Sequence, residues 1–131
     1  MSSESGINIL IVDDEQFILD SLTGFLEDFE FNVFRAESGE EALQILEKIS
    51  VQAVIVDLRL PEMSGDTLIR KINSLYPGTK FVIHTGSVGY VLSEDLKAIG
   101  IKPEQLFFKP VPDLNILVDT VFSLTQEDRE G

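Results

Sequence analysis

The chain has 131 residues, 44% of them hydrophobic, which suits one compact domain with its own core. Its 23 acids against 10 bases leave a formal charge of −13, a surface that repels phosphate backbones, and the lack of cysteine excludes disulfides, thiolate metal sites and a catalytic thiol. No apolar run reaches the ~20 residues of a membrane helix, and MSSESG is neither basic nor apolar, so a soluble, cytoplasmic protein that binds neither membrane nor nucleic acid is expected.

INILIVD (7–13) reads as the first strand, apolar on consecutive positions as in a parallel strand covered on both faces. Ile18, Leu22, Phe25 and Phe29 then recur at helical spacing and predict a helix of about 15 residues. FNVFRA (31–36) is the second strand, and Ser38 with Glu41 makes a capping box ahead of Ala42, Ile45, Leu46 and Ile49. VQAVIVDL (51–58) is the third strand, followed by a helix with Leu68, Ile72 and Leu75 on its apolar face and Pro77-Gly78 at its end. KFVIHT (80–85) is the fourth strand. The two glycines of GSVGY (86–90) and a second cap candidate, Ser93, predict a late or irregular start to the next helix, with Leu96 and Ile99 inward. EQLFFK (104–109) is the fifth strand, and Asp113 caps a last helix carrying Leu114, Leu117, Val118 and Val121.

Five strand–helix alternations predict an α/β fold, a parallel sheet with helices on both faces. The polar ends, residues 1–6 and 125–131, are expected to be disordered, leaving 7–124 as the domain.

In such a sheet, ligands bind outside the carboxyl ends of the strands. Those ends carry Asp13 and Asp14 after strand one, Asp57 at the end of strand three, Thr85 at the end of strand four and Lys109 at the end of strand five. Each has a plain structural reading: acids after a strand start the next helix, and Lys109-Pro110 ends a strand at a proline. Their joint placement on one rim favours a site. Crowded carboxylates resist ionising together unless a cation joins them. Oxygen donors without His or Cys select a hard ion such as Mg²⁺, and Mg²⁺ beside a lysine makes a receptacle for a phosphoryl group. One carboxylate held in line could itself be the nucleophile.

Other α/β chemistries fail on particular residues. VDDEQF lacks the glycines of a dinucleotide turn, and its acids would repel a flavin phosphate. Asp57 is followed two residues on by Arg59 instead of the acid of haloacid-dehalogenase-like phosphatases. His84 is the one histidine, no nucleophile elbow surrounds a serine, and His84 reads as a strand residue.

The set LIVDDE, VDLRLPEMSG, HTG and FKP resembles the receiver domain of two-component response regulators, over about 7–124. The resemblance implies a flavodoxin-like (βα)5 three-layer sandwich with strand order 2-1-3-4-5. It implies that Asp57 accepts a phosphoryl group from a histidine kinase, a phosphotransfer protein or a small donor, catalysing only its own phosphorylation and dephosphorylation. Mg²⁺ would be held by Asp14, Asp57 and the Arg59 backbone carbonyl, with Asp13 acting largely through water. Lys109 would pair with the phosphoryl oxygens, Thr85 would swing toward them, and Pro110 would follow through a cis peptide. Met63 would lie over the rim, while Arg59 and Ser87 hold positions that commonly tune phosphoryl loss. Implied partners are an effector domain or protein, or a second copy through helix 4, strand 5 and helix 5. Two departures stand out: Leu106 occupies the usual aromatic switch position, and AIGIKPEQLFFKP is about two residues longer than is usual. Both fall on the output face, which leaves open a phosphorylation-independent interaction module. Glu15 reads only as a first-turn acid of helix one.

Overall fold

The computed structural model describes residues 6–87 and 89–130. Five strands, β1 (Asn8–Val12), β2 (Asn32–Ala36), β3 (Ala53–Val56), β4 (Lys80–Thr85) and β5 (Leu106–Phe108), form one parallel sheet in the order β2-β1-β3-β4-β5, as expected. The order reverses between β1 and β3, which is where an open α/β sheet takes its ligand. The helices are α1 (Gln16–Glu27), α2 (Gly39–Leu46), α3 (Gly65–Leu75), α4 (Glu94–Ile99) and α5 (Leu114–Glu130).

Side chains alternate across each strand, so consecutive apolar residues feed two cores. Leu10, Val12, Val54, Val56 and Ile83 meet Ala42, Leu68, Ile72 and Leu96 from α2, α3 and α4. Ile9, Ile11, Ile55 and Val82 meet Leu19, Leu22, Leu26, Leu117 and Val121 from α1 and α5. Burying each of the Val, Leu and Ile side chains among these stabilises the fold by about 1.5–3 kcal/mol.

Caps set the helix starts. The Ser38 hydroxyl accepts from the Glu41 amide (3.1 Å), and the Glu41 carboxylate accepts from the Glu37 amide (2.6 Å), one residue before the expected partner. Ser93 caps α4 through the Leu96 amide (3.2 Å), so that helix starts late as the glycines foretold.

Three expectations change. In α1, Leu19 and Leu26 join Leu22 in full burial, and Phe29 lies past the helix end, its ring tilted against Phe25 and edge-on to Phe122. In α3 the buried stripe is Gly65, Leu68, Ile69 and Ile72, and Leu75, at the edge of that stripe in the last turn, is 61% exposed. Residues 125–130 continue α5 where a disordered tail was expected: Thr125 is fully buried and satisfies its hydroxyl on the Val121 carbonyl (2.9 Å). The expectations for residues 1–5 and 131 lie outside the described residues.

The long stretch before β5 forms a single 3₁₀ turn, Pro103–Gln105. Gln105 is buried there, donating to the Phe81 carbonyl of β4 (2.8 Å) and accepting from the Lys102 amide (2.9 Å).

Candidate functional site

Ladder bonds just past the strand ends bring the acids together. The Asp57 amide donates to the Val12 carbonyl (3.0 Å) and the Asp13 amide to the Ala36 carbonyl (3.1 Å). Asp13 and Asp57 are therefore buried side by side, with Asp14 exposed next to them. One carboxylate oxygen from each of the three lies within 4.8 Å of the others.

Lys109 arrives from β5, its amide bound to the Thr85 carbonyl (2.8 Å), and a cis peptide joins it to Pro110. Its ammonium lies 2.9 Å from Asp13 Oδ2, 3.0 Å from Glu15 Oε1 and 3.2 Å from Asp57 Oδ2. Burial alone would lower the Lys109 pKa. The hydrogen bonds to Asp13 and Glu15, with the attraction of Asp13 and Asp57, reverse this and hold it above its ordinary value. Burial pushes the Asp13 carboxyl up, and the bonds from Lys109 and the Glu15 amide offset this only in part. A dry carboxylate of this kind, in a set of oxygen donors without His or Cys, fits a hard divalent cation such as Mg²⁺.

The other rim residues are arranged around this cluster. Thr85 is fully buried at the end of β4, and its hydroxyl accepts from the Ser87 amide (3.1 Å). The Arg59 amide donates to Asp57 Oδ1 (3.2 Å), and its Nε donates to the Ser87 hydroxyl (3.0 Å). That last bond links the loop after β3 to the loop after β4. Tyr90 makes a second link to the α3 start, donating to Asp66 Oδ2 (3.4 Å).

Gly65 is required by close approach: a Cβ there would overlap the Asp57 carbonyl oxygen and lie 2.7 Å from Leu58 Cα. Its amide donates to the Leu58 carbonyl (2.9 Å), which fixes the turn that carries Asp57 into α3. Met63 lies against Gly39 at the start of α2.

His84 faces the α1/α5 side, 4% exposed, with no hydrogen-bond partner for Nδ1 among the described residues. Burial, and then the nearby Lys109 charge, lower its pKa to about 4. It lines a groove of about 410 Å³ beside Lys109, together with Phe17, Leu22, Val111 and Leu114.

Glu15 is the residue that sequence reasoning undervalued. It sits at the N-cap position of α1, its amide donates to Asp13 Oδ1 (2.9 Å), and its carboxylate reaches Lys109. No signal in the sequence marks this contact, since it joins residues 94 apart and depends on where β5 delivers Lys109.

The family model for the response regulator receiver domain matches residues 9–121. The chain belongs to this family. The receiver is 32% identical to the sensor kinase CckA of Brucella abortus over 123 residues, 91% of this chain and 12% of that protein. A receiver domain structure from Clostridium thermocellum is 27% identical with a TM-score of 0.80, covering 94% of this chain and 97% of that one. Response regulator TrrA of Thermotoga maritima, solved in complex with Mg²⁺-BeF, is 25% identical with a TM-score of 0.78, covering 90% of this chain and 98% of that one. Three of the curated relatives it matches are much longer, and the receiver spans 12% to 31% of their lengths. Among the described residues no helix is long and apolar enough to cross a membrane.

Proposed function

We propose that this receiver is a phosphorylation switch in which Asp57 accepts a phosphoryl group in a Mg²⁺-dependent reaction. The observation that carries the reading is the convergence of Asp13, Asp14 and Asp57 within one cation's reach, with Lys109 3.2 Å from Asp57. A bound Mg²⁺ supplies charge neutralisation to the transferred group. Asp13, Asp14, Asp57 and the Arg59 backbone carbonyl would hold it.

An Asp57 carboxylate oxygen attacks phosphorus. On a phosphohistidine donor the P–N bond breaks, its electron pair returns to the imidazole nitrogen, and that nitrogen takes a proton from solvent. Lys109 donates to the phosphoryl oxygens, and Thr85 turns from the Ser87 amide toward them. The donor is a histidine kinase, a phosphotransfer protein or a small acyl phosphate. The modified site biases an equilibrium of the α4–β5–α5 face toward the form that an effector, or a second copy, recognises.

A second reading is favoured by Leu106 and the Gln105 bridge to Phe81: the receiver keeps its fold and binds partners without phosphate. Incubation with Mg²⁺ and acetyl phosphate separates the two. The switch gains one phosphoryl mass and changes its association or dynamics, and Asp57→Asn gains none. Labelling without any change in either favours the second reading, and equal labelling of Asp57→Asn removes the nucleophile assignment.

A further inference from the structure

A lysine ammonium has three N–H groups, and Lys109 spends them on Asp13, Glu15 and Asp57. A phosphoryl oxygen can be bound by Lys109 only if one of these is released. The three acceptors differ in what their release costs. The side chains of Asp13 and Asp57 are 2% and 6% exposed, so losing the lysine leaves a buried carboxylate short of a partner. That of Glu15 is 61% exposed, and water replaces the lysine there at little cost. Asp13 and Asp57 also belong to the cation cluster, and Glu15 does not.

Glu15 is nonetheless placed with care. It is the last residue before α1, and Asp13 Oδ1 holds its amide at 2.9 Å, so the residue it would compete beside also fixes its position.

We propose that Glu15 is a positioning residue that stands in for the phosphoryl group: its carboxylate holds the Lys109 ammonium over the resting site and is displaced when a phosphoryl oxygen takes the same N–H. The inference rests on the phosphoacceptor reading of Asp57 and deepens it. Two consequences follow with opposite signs. Removing the Glu15 charge weakens attraction for a divalent cation, because less negative charge surrounds it. It also frees a lysine N–H and lifts a repulsion, which favours a bound anion.

The test titrates Mg²⁺, and then beryllium fluoride at saturating Mg²⁺, into the full chain and its Glu15→Gln variant, followed by NMR. Glu15→Gln should bind Mg²⁺ about two- to fivefold more weakly and beryllium fluoride about two- to fivefold more tightly, the range of an exposed ion pair. Glu15→Ala should move both constants in the same directions. A damaged fold weakens both ligands together and cannot produce opposite signs. Unchanged or weaker beryllium fluoride binding by both variants at saturating Mg²⁺ overturns the proposal. A parent chain that takes up no beryllium fluoride overturns the phosphoacceptor reading itself, and this inference with it.

Discussion

The acid rim around Lys109 and the turn before β5 both bury polar side chains, one by sharing a charge and the other by closing a neutral amide. At the rim, Lys109 serves three carboxylates, of which Asp13 and Asp57 could take another cation as partner, while its own ammonium could take another anion. At the turn, Gln105 meets one carbonyl and one amide, both backbone groups that offer nothing to exchange. The contrast separates a site poised for ligands from a strut. The rim should respond to metal, phosphate and charge, while the turn should respond only to changes in packing and hydrogen bonding.

The strongest challenge to this contrast is Lys109→Met, which leaves buried Asp13 and Asp57 without their shared cation. Urea unfolding of the metal-free protein should show a loss of about 3 kcal/mol, and Mg²⁺ should restore more stability to the variant than to the parent. A variant as stable as the parent without Mg²⁺ would mean that the ammonium does not hold the cluster.

Gly65→Ala tests whether the rim depends on a close backbone approach. The added methyl overlaps the Asp57 carbonyl, so a loss of about 2 kcal/mol is expected, with slower phosphoryl uptake because the turn carrying Asp57 shifts.

His84 extends the comparison to pH, since it is a buried neutral group next to the charged rim. Unfolded, it takes up a proton near its ordinary pKa of 6.5, but folded only near 4. Between those values the unfolded chain binds more protons, so stability falls as pH drops through that window. Between pH 7 and pH 5 the parent should lose about 1–2 kcal/mol more than His84→Leu, measured by denaturant unfolding at both pH values.

The smallest effect is assigned to the strut. Gln105→Leu removes two hydrogen bonds and should cost about 1–2 kcal/mol, with phosphoryl uptake unchanged. A change in uptake rate there would erase the distinction between the two regions.

The sheet was legible because its signals are local and repeated. Val, Ile and Phe on consecutive positions imply strands covered on both faces, and Ser38 and Ser93 mark helix starts through their own hydroxyls. Asp13, Asp14, Asp57 and Lys109 were legible together because topology sends the carboxyl ends of parallel strands to one edge. Glu15 was not, because the position that starts a helix is also an arm's length from Lys109, and only the path of β5 reveals the second fact. Leu75 misled because an apolar residue at helical spacing does not say where the stripe's centre falls. The extra residues before β5 were visible as length alone. Their conformation depends on the pairing of Gln105 with Phe81, a contact between residues 24 apart in sequence.

The central claim is that Asp57 itself carries the phosphoryl group. Borohydride reduces an aspartyl phosphate to homoserine, so the protein treated with Mg²⁺ and acetyl phosphate, then borohydride, can be mapped by peptide mass spectrometry. Homoserine at position 57, dependent on Mg²⁺, is the predicted result. Homoserine at position 13 or 14 instead, or no conversion at position 57 under conditions that phosphorylate the chain, would contradict the account.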